Sequence, residues 1–397
     1  MSRNATKDLT TGSPMKLILG FGIPLLFGML FQQFYNMMDT IIVGKFLGVS
    51  ALASVGATGS INFMIIGFCM GVCNGFAIPV AQRFGAKDEH GMRKFVANSV
   101  WLSIIFAVVM AVLVCVFCRQ ILELMNTPED IIDGSYSYIF VIFLGIPATY
   151  MYNLLSGIMR SLGDSKTPLY LLIFSSILNI ILDLLSIIVL KMGVAGAAWA
   201  TVIAAAVKIN MFLCCPYDAM GSTMATYAGQ NVGASKFDRL KQGEKSCTLL
   251  GLVYGIAAFI FILLFGKYLA LLFVDASEKV IINQAHLFLM CNSAFYFSLA
   301  LVNIFRFTIQ GMGFSRLAIL AGVCEMIGRT VVAFVFVPIF GYPAVCFASP
   351  VAWILADCFL VPAFFFCVRS LEKRAALEDR QAVRLRQKEQ QTGWHRS

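Results

Sequence analysis

Histidine is almost absent from this chain: there are three in 397 residues, and they are not clustered. With no paired His and no second Cys pair, Cys115-Val-Phe-Cys118 reads as packing rather than half of a zinc site. Charge is scarce as well. Asp, Glu, Lys and Arg make up 13% of the residues, whereas soluble domains carry roughly a quarter. So little charge excludes a chain that faces water on all sides. A phosphate-binding loop, a nucleophile elbow and metal-ligand spacing are also missing, which argues against an ATP-driven pump or an enzyme. No cofactor is expected.

What fills the chain instead is apolar sequence, 59% hydrophobic with a mean hydropathy of +0.82. A bilayer core needs about 20 mostly apolar residues per helix. Runs of this kind recur near 17–43, 51–81, 95–118, 135–159, 168–190, 193–228, 246–273, 283–309, 316–340 and 342–368. The expected fold class is therefore all-α and polytopic, with about ten spans. The run from Leu17 to Val43 is too long and unbroken for a signal peptide, so it reads as the first span. The twelve cysteines lie mostly inside apolar runs (Cys69, Cys73, Cys291, Cys324, Cys346, Cys358), where Cys packs as a small hydrophobe. With the amino terminus inside, the breaks Arg83 to Lys94, Arg160 to Lys166, Lys236 to Lys245, Arg306 to Arg316 and the tail after Arg369 are cytoplasmic. Only Lys45, Arg119, Lys191, Lys267 and Lys279 then fall outside. The net charge of +9 thus reads as membrane topology, with no nucleic-acid partner. Both termini are expected in the cytoplasm, and the mixed-charge tail reads as a solvated helix or a disordered end at anionic lipid.

The chain also repeats itself in one direction. Ala81-Gln82-Arg83-Phe84-Gly85-Ala86 is answered 148 residues later by Gly229-Gln230-Asn231-Val232-Gly233-Ala234. Arg160-Ser161-Leu162-Gly163-Asp164-Ser165-Lys166 is answered by Gln310-Gly311-Met312-Gly313-Phe314-Ser315-Arg316, and Gly193-Val194-Ala195-Gly196 by Gly341-Tyr342-Pro343-Ala344. Many transporters are built from two such halves, with the substrate site between them. A second copy in this register should begin near residue 150, yet the first still runs through about Ala205. A segment at the start of the second lobe is therefore missing, and the join falls near Ala204 to Lys208. The organisation read from this is a six-helix lobe over 1–205, a shortened lobe over 206–370 and a basic tail over 371–397.

Ionisable groups inside a bilayer call for a functional reading. Gln32, Tyr35, Asn36 and Asp39 fall three or four apart, on one helical face. Ser175, Ser176, Asn179 and Asp183 do the same on the fifth span, and Thr201 adds a hydroxyl from the sixth. Two carboxylates, an amide oxygen and a hydroxyl form an all-oxygen set suited to a hard monovalent or divalent cation, or a pair of acids able to hold a proton and so to exchange H⁺ for Na⁺. The plainer alternative is that these groups hydrogen-bond helix to helix. Glu325 and Arg329, four apart, read as mutual neutralisation. Asp218 and Asp357 are candidates to line the second lobe, while Lys208 receives no role. Gly67, Gly71 and Gly75 have the spacing of close helix packing. Phe34, Tyr35, Tyr150 and Tyr152 are candidates to stack on flat or cationic compounds. Candidate cavity residues are thus Gln32, Tyr35, Asn36, Tyr150, Asp218 and Glu325.

Pro24, Gln32-Gln33, Tyr35-Asn36, Asp39, Gly44, Gly48, Ala51-Leu52-Ala53, both Gln-x-x-Gly-Ala span ends, Asn179, Asp183 and Thr201 together carry a resemblance to the multidrug and toxic compound extrusion (MATE) transporters. It covers nearly the whole chain except the missing segment and the tail. The resemblance implies twelve helices in two six-helix lobes, and export of organic cations or amphipathic compounds in exchange for Na⁺ or H⁺. By position it implies cation binding at Asp39, Asn179, Asp183 and Thr201, and a helix bend at Pro24 on protonation. This chain departs from the pattern in lacking the seventh helix and the start of the eighth. A cation-coupled antiporter of a bacterial-type inner membrane, working as a monomer, is the resulting expectation. The rival readings are a lipid-linked saccharide flippase of the same superfamily and a shortened remnant that does not transport.

Overall fold

A computed structural model of the chain describes residues 7–42, 49–184, 198–271 and 279–393. Within some of its helices, including the stretches around Asp39 and Asp183, it describes the helix but not the side chains. Helices α1 (Pro14–Ile42), α2 (Val49–Gly85) and α3 (Glu89–Val116) are followed by the short α4 (Cys118–Leu124), then α5 (Glu129–Leu144), α6 (Ile146–Ser161) and α7 (Lys166–Leu184). After them come α8 (Ala198–Gly233), α9 (Phe237–Leu271), α10 (Lys279–Ala294), α11 (Tyr296–Gly311), α12 (Ser315–Val331), α13 (Val337–Phe340) and α14 (Tyr342–Gly393). No strand occurs among the described residues.

Six described helices are long and apolar enough to cross a membrane, and two bent pairs bring the total to eight. The remaining two expected spans, near 168–190 and 193–228, run into residues outside the described set. Aromatic and aliphatic side chains such as Phe63, Trp101, Phe174 and Phe334 stand exposed on the outer helix faces, where lipid tails are their solvent. The cysteines are all free thiols.

Both bends have local causes. The expected span 135–159 breaks between α5 and α6 by 46°, where Pro147 lacks the N–H that would continue the ladder. The span 283–309 breaks between α10 and α11 by 52°. There Asn292 and Ser293 donate to the Phe288 and Met290 carbonyls, competing with the backbone. Between α12 and α13 the chain widens into a π-helical turn, Val332–Phe336, which relieves the clash Pro338 would make with a carbonyl one turn earlier.

The sequence repeat is a structural repeat. Lys87 and Ser235, 148 apart, both take positive φ (59° and 54°) just after their helices end, as do Gly163 and Gly313 (85° and 93°) 150 apart. The two bent pairs are likewise 150 residues apart. At the first of these turns, Asp88 caps α3 by accepting from the Gly91 N–H at 2.9 Å. That backbone N–H, and then Arg83 at 2.8 Å, hold its carboxyl below the usual carboxylate range.

Two cores result. One lies among α2, α3, α5 and α6, around Cys73, Phe143, Tyr150 and Leu154. The other lies among α8, α9, α11 and α14, around Tyr217, Tyr296, Phe305 and Phe364. Against the expected grouping of residues 1–205, the first half of α1 (Leu17, Ile18, Phe21, Leu25) is buried in the second core. Its apolar residues are wide enough apart to serve both sides, since Gly28 faces Leu169 and Leu172 of α7. The join expected near 204–208 lies inside α8, one helix of 36 residues or about 54 Å, longer than a bilayer core. The tail continues α14 as a helix, tied by Lys241 to Glu372 at 2.8 Å.

The two repeats touch each other at their basic ends. A Cβ on Gly85 would overlap the Gln230 carbonyl, and one on Gly233 would overlap the Gln82 carbonyl, so equivalent residues make a reciprocal contact. Adding even one methyl group here forces the helix ends apart, whereas a Cβ added to Gly322 would meet nothing within 4 Å. Gly233→Ala is therefore expected to cost about 1–3 kcal/mol, the range for overpacking, while Gly322→Ala stays near neutral. Thermal unfolding of the purified variants in detergent checks this, and equal melting temperatures would contradict it.

Candidate functional site

The end of the cleft between the lobes at the basic face is sealed by side chains as well as backbone. Gln82 Nε2 donates to the Gly311 carbonyl at 3.3 Å, and its repeat partner Gln230 Nε2 donates to the Ser161 carbonyl at 3.0 Å. Each glutamine thus reaches the helix end of a bent pair in the opposite lobe. Gln230 has a second role that Gln82 lacks, because its Oε1 accepts the Leu9 N–H at 2.8 Å. Leu9 is 0% exposed. Its carbonyl takes Asn231 Nδ2 at 3.2 Å, and Lys236 Nζ holds the Thr10 carbonyl at 2.9 Å. On the other side the Lys7 backbone lies against Gly163. The segment before α1 is therefore a strap across both lobes.

A cavity of about 460 Å³ lies within the first lobe. Its walls come from α1 (Pro24, Leu25, Gly28, Met29, Gln32), from Met70 of α2, and from α6 and the start of α7. Its polar lining is Gln32, Thr149, Tyr152, Asn153, Ser156, Arg160 and Ser165. A smaller pocket of about 40 Å³ lies between the lobes and is lined by Asn74, Ser222, Thr226, Gln310 and again Arg160. Pro24, at the cavity wall, lacks the N–H that would continue the hydrogen-bond ladder of α1.

The expected residues fall into three groups. Pro24 and Gln32 line the cavity, and Asn36 is exposed one turn further along α1, donating to Gln33 at 3.3 Å. Asp39 lies on α1, Asn179 and Asp183 on α7, and Thr201 on α8. The side chains of those four and of Tyr35 lie outside the described residues, as do those of Ser175, Ser176 and Lys208.

Two residues sit elsewhere than expected. Tyr150 is 1% exposed in the first core with its ring 5.2 Å from Phe106; a Tyr at this register of α6 turns inward, and Tyr152 meets the cavity instead. Glu325 lines neither cavity. It pairs with Arg329 at 3.1 Å, as its i,i+4 spacing suggested, and also with Arg306 of α11. Of the two acids weighed for the second lobe, Asp218 is exposed on α8 one turn from Ser222, and Asp357 accepts from Ser298. Glu244 was missed because its segment reads as a basic loop. It lies in α9, 4% exposed, with Thr308 donating to it at 2.8 Å. Arg160 was counted only as a topological charge.

With this geometry in hand, comparison with known proteins assigns the family. The MatE family profile matches residues 24–185 and again 186–335. The chain belongs to the MatE family. Its two matches correspond to the two repeats and divide the chain some twenty residues before the join read from the sequence. The probable multidrug resistance protein YoeA of Bacillus subtilis is 27% identical over 375 residues, covering 74% of this chain and 80% of that protein. The probable multidrug resistance protein YpnP of the same organism is 31% identical over 196 residues, covering 49% of this chain and 44% of that protein. The chain therefore spans less than half the length of some relatives it matches. A solved outward-facing structure of a multidrug resistance MATE family transporter superposes with a TM-score of 0.84 at 20% identity, covering 94% of this chain and 100% of that one. That likeness establishes a shared fold.

Because Gln230 serves both the Ser161 carbonyl and the strap while Gln82 serves one carbonyl, their alanine variants should differ. Leaving buried partners unmatched costs about 1–3 kcal/mol each, so Gln230→Ala is expected to lower the melting temperature more than Gln82→Ala. Equal losses would show that the strap adds nothing to the seal.

Proposed function

We propose that this MatE protein exports amphipathic organic compounds, cations among them, in exchange for Na⁺ or H⁺ by alternating access between its lobes. The observation that carries the reading is a cavity with mixed polar and apolar lining among α1, α2, α6 and α7, in a molecule whose lobes meet at the basic face through equivalent helix ends. Contacts between helix ends are of the kind that part in rigid-body rocking of one lobe against the other. The drug-resistance names of the relatives YoeA and YpnP favour the same substrate range.

In this reading Asp39, Asn179, Asp183 and Thr201 hold the coupling ion, and occupancy acts on the cavity through α1, which carries both Asp39 and Pro24. A carboxylate in so apolar a setting is stabilised either by a cation or by a proton. The basic face is the cytoplasmic face of a bacterial inner membrane, as the distribution of Lys and Arg favours. The second lobe is shortened at its start. A second reading follows from that: α1 packs on α7 at Gly28, and the described residues offer α12, the equivalent of α7, no such helix. A remnant that folds but does not transport is the form this reading takes.

Ethidium efflux from cells expressing the chain decides between them. Export is expected, it should collapse when the sodium or proton gradient is dissipated, and Asp39→Asn should reduce it by tenfold or more, about 1.4 kcal/mol of coupling. Absence of export, restored by a seventh helix supplied at the join inside α8, would favour the remnant. Unchanged export by Asp39→Asn would remove the coupling role.

A further inference from the structure

Arg160 ends α6, where a cation suits the helix dipole, but its guanidinium is turned toward the cavities. It lines both the 460 Å³ cavity and the small pocket between the lobes. Its Nη2 lies 4.0 Å from the position a Cβ would take on Gly157, so it folds back along its own helix. Arg306 and Arg329, by contrast, both pair with Glu325. Arg160 enters no ion pair among the described residues. Its equivalent in the second repeat is the neutral Gln310, so the charge is not a requirement of the turn that follows.

Around it the described lining of the larger cavity contains no carboxylate. Instead Gln32, Thr149, Tyr152, Asn153 and Ser165 bring hydroxyls and amides, and Met29, Met70 and Leu172 supply apolar wall. The volume falls in the range of small-molecule sites, about 300–1,000 Å³. A half-desolvated guanidinium without a counter-ion is stabilised by any anion that reaches it, and its planar fork matches carboxylate and phosphate oxygens in pairs.

We propose that Arg160 is the anchor of an anion subsite in this cavity, taking the carboxylate or phosphate group of an amphipathic compound. The compounds carried are then anions or zwitterions as well as cations. This deepens the export reading and rests on it.

The test uses the purified full chain in neutral detergent. Fluorescein serves as the flat anionic probe and ethidium as the flat cationic one, each followed by fluorescence anisotropy. The unaltered protein should bind both. Benzoate should displace fluorescein, and its neutral isostere benzamide should not, a comparison that needs no variant to fold. Arg160→Gln should weaken fluorescein about tenfold or more, as loss of a charge-assisted hydrogen bond does, and leave ethidium within twofold. Arg160→Lys should recover part of the loss. Displacement of fluorescein by phosphatidylglycerol but not by phosphatidylcholine assigns the subsite to a lipid headgroup; displacement by neither assigns it to a free solute. Equal weakening of both probes in Arg160→Gln, or equal displacement by benzoate and benzamide, overturns the proposal. Ethidium binding without fluorescein binding overturns the subsite and leaves the export reading standing, and binding of neither probe counts against both.

Discussion

Where the two repeats meet, Gly85 lies against the carbonyl of Gln230 and Gly233 against the carbonyl of Gln82, at a distance that only hydrogen in place of a side chain permits. The glutamine side chains then reach past each other to the Gly311 and Ser161 carbonyls at the ends of α11 and α6. Backbone packing and hydrogen bonding thus act at one place, and both depend on the repeat being in register. The strap through Leu9 is added on one side only, because Gln230 Oε1 accepts it and Gln82 has no equivalent guest.

That arrangement also explains why so few polar residues suffice. Most of the chain's outer surface is apolar and meets lipid, and helix association in such a solvent relies on close packing and hydrogen bonds rather than on hydrophobic burial. Gly85, Gly229, Gly233 and Gly311 supply the close approach, and the amides and hydroxyls of Gln82, Gln230, Ser161 and Asn231 supply the bonds. In the second lobe Arg306 and Arg329 share the Glu325 carboxylate. Arg160 stands apart from that pattern.

The fold was legible because its signals are long. Apolar runs announced the spans, and the repeat announced the two lobes, down to turns whose positive φ recurs at the same spacing. Bends were not legible as bends, since Pro147 and the Asn292-Ser293 pair interrupt a helix without interrupting its hydropathy. The dual allegiance of α1 was hidden for a related reason: a helix apolar on several sides gives no hint of which neighbour each side meets. At the site, the α1 face through Gln32 was readable from its spacing. Tyr150 and Tyr152 were not separable, because two residues two apart on one helix face nearly opposite ways and the sequence does not say which way is in. Glu244 and Arg160 sit at helix ends that read as loops, where a charge has an ordinary topological explanation.

Hydrogen exchange in lipid nanodiscs tests the central claim, that the clasp between the lobes is one of two states the molecule visits. The backbone amides of residues 82–88 and 230–236 should be protected together at rest. They should lose protection together when coupling ion and exported compound are varied, because one contact guards both. Unchanged protection of the two segments under every ionic condition and with every compound, or loss in one segment alone, would contradict an account in which the lobes part at that seam.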